Sequence, residues 1–349
     1  MTDLRVAIAG YGLAGRVFHS RLIAATEGLA VAFVVTRDAA RADAVRSEHP
    51  DAAVVASTDE LWERGGVDVL VVATPNEQHA PLALQAISRG VPVVVDKPMA
   101  LNAAQGQELV DAANRAGVLL TPFHNRRWDS DQLTLRRLLA DGRLGDLYRY
   151  ESRFERWRPS ARGGAWRDDL PPERGGGQLL DLGTHLVDQA VALFGPVSEV
   201  YAEIDARRGL VSDDDDFIVL RHVGGPISHL HASAVTAAPG PRLRVLGSEA
   251  AFVVDSVDGR VVALRAGRRP DGGGEWGAEP ESRWGRLVAG DASEPVASER
   301  GDWPRFYAEL VAALRNGGAA PVDPRDAVNG LRVLEAARRS AEERSVVAL

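Results

Sequence analysis

Strand-like and helix-like segments alternate six times over roughly the first 120 residues of this 349-residue chain, which limits the fold more than any other feature. Residues 4–10 read as a buried strand, followed by a helix from about Ala14 to Ala25. Strands at 30–36 and 53–56 flank a helix at 38–48, and Ser57-Thr58-Asp59-Glu60 resembles a capping box that opens a further short helix. Val67–Ala73 is a continuous apolar run, the pattern of a strand covered on both faces. A helix at 77–89, a strand at 92–95, a helix at 102–116 ended by Gly117 and a strand at 118–121 complete the series. The alternation specifies an α/β fold whose first domain, residues 1–123, is a doubly wound parallel sheet.

The pattern then changes. Residues 129–141 read as a helix, 146–157 as a strand and 175–194 as a helix. From 197 to about 266 come strand-like runs divided by turn signals, with no helix expected between them. Two helices, at about 302–315 and 323–342, close the chain. Residues 124–349 are therefore expected to form an α+β domain with a large, mostly antiparallel open sheet. Its closing helices, over 302–342, should pack back toward the first domain. A large sheet with one uncovered face finds a partner, so a homodimer or homotetramer through that sheet is expected.

The first strand runs into Gly10-Tyr11-Gly12-Leu13-Ala14-Gly15, a G-x-G-x-x-G loop that opens a helix. In that context the loop marks a Rossmann-type dinucleotide site. Gly10 permits the tight turn, Gly12 lets the backbone approach a pyrophosphate, and Gly15 allows the helix to pack closely on the strand. The second strand ends Val34-Val35-Thr36-Arg37. An NAD site wants an acid there, whereas Arg37 can pair with a 2′-phosphate with Thr36 as a further donor. Asp38, one step later, keeps NAD(H) open; NADP(H) is favoured.

Composition sharpens the search for catalytic groups. Of 41 Lys plus Arg residues only Lys97 is lysine. An arginine bias empties a surface of lysine but not a place where chemistry needs a compact ammonium. Lys97 follows the fifth parallel strand, and ligands bind beyond the carboxyl ends of such strands. Thr74-Pro75-Asn76 and Phe123-His124-Asn125 end neighbouring strands at the same edge. In the second domain Asp181, His185 and Asp188 share one helix face by spacing. A carboxylate beside an imidazole can orient the ring and stabilise its protonated form. No metal is expected, since this pair lacks a third ligand in reach. The run Asp213-Asp214-Asp215-Asp216 reads as a solvated turn, because alternating side chains cannot converge on one ion.

A net charge of −8 argues against nucleic acid or an anionic membrane as partner. The absence of cysteine excludes disulfides and thiolate chemistry. No apolar run approaches ~18 residues, and the N-terminus lacks the shape of a signal peptide, so a cytoplasmic location is the default. Gly/Pro-rich patches lie at 158–177 and 270–290, and there is no internal repeat.

Together, Gly10–Gly15, Asp96-Lys97-Pro98 and Asp181 to His185 resemble the marks of the Gfo/Idh/MocA oxidoreductases, in order and over nearly the whole chain. The segments 10–19, 125–131, 153–159 and 180–189 look most like the NADP-dependent scyllo-inositol dehydrogenase branch, which often carries Asp in place of the Glu before the lysine. By this resemblance Lys97, Asp181 and His185 form the catalytic group. His185 would take the hydroxyl proton, Asp181 would orient it, and Lys97 would hold the substrate oxygen and cofactor ribose. Gly10 to Gly15, Thr36, Arg37, Thr74, Pro75, Asn76, His79, Asp96, Lys97, Trp166 and Arg167 would surround the cofactor. His124, Asn125, Arg126, Arg127, Arg153 and Trp157 would line or support a substrate pocket. The expected activity is hydride transfer between a nicotinamide and a hydroxyl or ketone of a cyclitol or sugar. Alternatives are a reductase of a keto- or amino-sugar intermediate of secondary metabolism, or a non-catalytic NADP-binding sensor.

Overall fold

The computed structural model describes residues 2–161, 166–270 and 276–349, so parts of both Gly/Pro-rich patches lie outside the described residues. The chain forms two compact units: Met1–His124 with Arg260–Trp276 and Trp303–Val328, and Asn125–Gly259 with Gly277–Asp302 and Asn329–Leu349.

The first unit is built on six parallel strands: β1 (Leu4–Ala9), β2 (Leu29–Val35), β3 (Ala53–Val55), β4 (Val69–Val72), β5 (Val93–Val95) and β6 (Leu120–Pro122). Their order is β3-β2-β1-β4-β5-β6. The direction of winding reverses between β1 and β4, and a crevice opens beyond the carboxyl ends at such a point. Val6, Ile8, Val69, Val71, Val93 and Val95 are all completely buried, as the unbroken apolar runs demand. Local chemistry sets the helix ends. Asn102 caps Ala103–Ala116 by accepting from the Gln105 amide at 2.8 Å, and Gly117 closes that helix in the left-handed region at φ 63°. Ser57 accepts from the Glu60 amide as a capping box requires, but Glu60 reaches back to the Ala56 amide instead of that of Ser57. Helix Pro304–Asn316 belongs to this unit, setting Phe306 edge-on against Phe123 with ring centres 4.9 Å apart.

The second unit carries nine strands: β7 (Leu147–Glu155), β8 (Val197–Asp205), β9 (Asp215–His222), β10 (Ile227–Ser233), β11 (Leu243–Gly247), β12 (Ala251–Val254), β13 (Gly285–Ala289), β14 (Ala292–Val296) and β15 (Val347–Ala348). Their order is β14-β13-β12-β11-β7-β10-β9-β8-β15; β10 runs parallel to β7 and the other pairs are antiparallel. Along β7, Tyr150 and Phe154 point toward helix Thr184–Phe194, with Tyr150 against Phe194 and Phe154 against His185. Arg149, Glu151, Arg153 and Glu155 take the other face by simple alternation.

Several elements depart from the sequence reading. Residues 260–265 form a short helix where only strands were expected, because Val261-Val262 in so short a run carries no helical period. β13 and β14 fall in a stretch whose turn chemistry masked them, and β14 holds Pro295 at the sheet edge, where a missing N–H is tolerated. Residues 175–194 are not one helix. A 3-10 turn at Pro172–Arg174 is followed by a π-helical segment, Leu179–Gly183, which continues into Thr184–Phe194. Among the described residues no helix is long and apolar enough to cross a membrane, and no group of three or more acidic or histidine side chains is placed to hold a metal ion.

Candidate functional site

The glycine loop of the first unit divides its labour as its spacing implies. Gly10 sits at φ +93°, and a Cβ there would lie 2.6 Å from the Ala73 carbonyl oxygen at the end of β4. A Cβ on Gly15 would lie 2.0 Å from the Gly10 carbonyl oxygen, so helix and strand can meet only through glycine. Gly12 has nothing within 4 Å of the place its Cβ would take, leaving open room over the loop. The helical run that follows begins with a π-helical segment, Leu13–His19, and no side chain caps its first N–H groups. Open space above uncapped N–H donors suits a pyrophosphate. Tyr11 turns inward: its hydroxyl donates to Glu48 at 2.8 Å, Arg16 clasps the same carboxylate at 2.6 Å, and burial pushes the phenol up to about 12. Only the Tyr11 backbone remains for a cofactor, which corrects any side-chain role expected of it. Leu13 is exposed and Ala14 half-buried on the loop.

At the end of β2, Asp38 caps helix Ala39–Glu48 by accepting from the Arg41 amide at 2.9 Å. Its own amide donates to the Thr36 hydroxyl at 3.3 Å. Asp38 is thus engaged as a helix cap beside Arg37.

Lys97 follows β5, with its backbone N–H donating to the Asp96 carboxylate at 2.8 Å. Behind it lies His79, 1% exposed, whose ring nitrogens stand 2.8 Å from the Pro98 carbonyl oxygen and 2.9 Å from that of Thr74. Burial holds its pKa down. His79 therefore ties the Thr74-Pro75-Asn76 turn to the Asp96-Lys97-Pro98 turn from beneath, instead of facing a cofactor as expected. His19, fully buried, stands 3.9 Å from Asp96 and 2.6 Å from the Tyr307 hydroxyl. His124 and Asn125 are buried just after β6.

In the second unit Asp181 lies within the π-helical segment and His185, 6% exposed, in the first turn of the helix it feeds. π-helical insertions are rare and gather at functional sites, and here both flank candidate residues. Arg167 stands 3.0 Å from Asp181 and stacks over Trp166 at 4.3 Å. Asp188 is held by Arg127 through a short contact of 2.6 Å and a second at 3.0 Å. Arg126 lies over the Phe154 ring at 4.6 Å and pairs with Asp129 at 3.0 Å, while buried Arg242 stacks on the same ring at 4.1 Å. The Phe154 ring, carrying these two cations, presents itself at 69° to His185. Arg126 and Arg127 thus support the surroundings of His185. Arg153 does not join them. It lies on the far side of the sheet and pairs with Glu151 at 2.7 Å, which corrects the expectation that it lines the same pocket. Trp157 is exposed beyond the end of β7. The aspartate run is another correction: Asp214 and Asp216 are completely buried and Asp213 nearly so; Asp213 and Asp214 have partners in place of water, whereas both Asp216 oxygens are buried without a hydrogen bond among the described residues.

Residues 4–124 match the oxidoreductase family's NAD-binding Rossmann fold, and residues 136–349 match its C-terminal alpha/beta domain. The chain belongs to the Gfo/Idh/MocA oxidoreductase family. It is a nicotinamide-dependent dehydrogenase or reductase acting on CH–OH groups. Among the relatives of this Gfo/Idh/MocA protein is the NADP(+)-dependent scyllo-inositol 2-dehydrogenase IolW of Bacillus subtilis, 33% identical over 99% of this chain and 96% of the relative. The uncharacterized oxidoreductase YdgJ of Escherichia coli is 36% identical over 99% of each chain. A solved oxidoreductase structure from Bacillus subtilis, yvaA, superimposes with a TM-score of 0.94 at 32% identity, covering 100% of this chain and 99% of that one.

The sequence reading missed the Tyr11–Glu48–Arg16 clasp, the His19–Tyr307 contact and the Phe154 stack. None is signalled by local spacing, since each joins residues at least 28 positions apart.

Proposed function

We propose that this protein is a cytoplasmic NADP(H)-dependent dehydrogenase of a cyclitol or related polyol, of the kind its scyllo-inositol dehydrogenase relative represents. The observation that carries the cofactor choice is Asp38. One of its oxygens caps the helix through the Arg41 amide, and beside it the edge of β2 offers Thr36 and the cation of Arg37 to a 2′-phosphate. The open space over Gly12 and the uncapped helix start fit the pyrophosphate. When bound, the nicotinamide accepts a hydride from the carbinol carbon in oxidation and returns it in reduction.

The chain's own residues supply the rest. His185 removes the hydroxyl proton as the carbonyl forms and returns it in the reverse direction. Asp181 orients that imidazole and balances its charge. Lys97 donates to the substrate oxygen, a task for a compact ammonium with freely rotating donors. Copies of the chain associate through the open face of the nine-stranded sheet into a homodimer or homotetramer, and a monomer in analytical ultracentrifugation would overturn that part.

The test of the main reading is a panel of cyclitols, aldoses and keto-sugars, followed through NADPH absorbance with NADP and NAD in parallel. Turnover of a cyclitol with a higher kcat/KM for NADP is the expected result. Preference for NAD would overturn the cofactor assignment. Tight NADPH binding with no turnover on any compound would favour a sensor.

A further inference from the structure

The buried aspartates and the Arg167–Asp181 pair belong to one construction. Asp213 accepts the Leu179 amide at 2.7 Å, and its carbonyl oxygen accepts the Gln178 amide at 3.0 Å. The π-helical segment bearing Asp181 therefore starts from Asp213. Arg338 approaches the same carboxylate at 3.3 Å. Burial, and then the nearness of Asp213, hold the Asp216 carboxyl well above the usual range. Asp214 takes the Arg207 and Arg208 amides at 2.8 and 3.0 Å and the Arg208 side chain at 2.9 Å. Arg208 continues to Asp168 at 3.1 Å. Asp168 neighbours Arg167, whose carbonyl oxygen accepts from the Gly177 amide at 3.0 Å and from the Ser212 hydroxyl at 3.1 Å. Both members of the Arg167–Asp181 pair thus hang from the adjacent residues Asp213 and Asp214.

We propose that Arg167 is a positioning residue, set by the Asp214–Arg208–Asp168 chain, that fixes Asp181 and offsets its charge toward His185. The proposal rests on reading Asp181 and His185 as the acid–base pair. It replaces the cofactor contact expected of Arg167. An uncompensated carboxylate beside an imidazole favours the protonated ring and spoils it as a base for alcohol oxidation. A guanidinium 3.0 Å from that carboxylate weakens the effect. Arg167, on the preceding segment, contacts Asp181 directly, and Asp213, with Arg338 against it, holds the start of the turn.

The experiment uses the full chain with NADPH bound and reads the imidazole resonance that disappears in His185→Asn. Arg167→Met should raise the pKa of that resonance by about one unit. It should move the acid limb of kcat/KM for polyol oxidation equally, leaving the NADPH dissociation constant within about twofold. Arg167→Lys should restore both, and Asp168→Asn should shift both the same way by less. Arg167 is 37% exposed, so these variants have room to fold. An unmoved resonance with a tenfold weaker grip on NADPH would overturn the proposal in favour of a cofactor contact. Full activity in His185→Asn would instead overturn the acid–base reading, and the positioning role with it.

Discussion

Arg127 grips Asp188 with two nitrogens, its Nη2 2.6 Å and its Nε 3.0 Å from the carboxylate, one helical turn past His185. The pair joins the turn at Asn125–Trp128 to the helix that carries the candidate base. Both side chains are largely buried, at 14% and 6% exposure. Arg127→Met therefore removes the guanidinium from a buried carboxylate and should cost about 3 kcal/mol in denaturant unfolding. His185 loses its brace, so kcat should fall as well. A variant as stable as the wild type would show the pair to be idle.

The glycine loop separates folding from binding at two nearby positions. Gly15→Ala forces a Cβ to 2.0 Å from the Gly10 carbonyl oxygen and should yield little folded protein. Gly12→Ala meets nothing within 4 Å and should melt with the wild type. Its methyl fills the space over the loop, so NADPH affinity should drop about tenfold or more, roughly 1.4 kcal/mol. Unchanged affinity in Gly12→Ala would move the pyrophosphate elsewhere.

Arg37 offers a parallel test of cofactor choice. A charge-assisted contact to phosphate is worth about 1.5–3 kcal/mol. Arg37→Ala should therefore lower kcat/KM for NADPH by about 10- to 100-fold and leave that for NADH near its starting value. An equal loss with both cofactors would assign Arg37 to stacking on adenine alone.

Much of this was legible in the sequence because two patterns are strictly enforced. A strand covered on both faces has to be apolar throughout, so β4 and β5 announce themselves. A helix that meets a strand through Gly15 tolerates no other residue, so the loop does too. What stayed hidden depends on partners far along the chain. Asp213 looks solvated until Leu179 arrives from 34 positions away, and no local rule brings it. Arg153 could have been excluded from the pocket by parity alone. Phe154 faces His185, and neighbours on a strand point apart.

Lys97 carries the sharpest substitution test. Lys97→Ala should lose at least about 100-fold in kcat, the scale of a positioned acid–base group. Lys97→Arg keeps the charge but replaces a compact ammonium by a planar fork, and should be impaired almost as badly. NADPH affinity should fall far less than kcat in both, since the glycine loop is untouched and only a ribose contact is lost. Near-normal rates in Lys97→Arg would show that charge alone suffices.

His19 provides a pH signature of stability. It is fully buried, and burial, opposed by Asp96, lowers its pKa to about 4. The unfolded chain takes up this proton near pH ~6.5, whereas the folded ring stays neutral until about pH 4. Between those values the unfolded state binds more protons, so stability falls as pH falls; above the window the ring is neutral in both states and contributes no slope. The loss across the window should reach about 3 kcal/mol. His19→Gln removes the titration, so wild-type and variant unfolding free energies, measured by urea at successive pH values, should converge by about that amount toward low pH. The carboxylates common to both proteins cancel in the difference. Parallel curves would mean that His19 is protonated in the folded protein, with Asp96, 3.9 Å away, as its counter-ion.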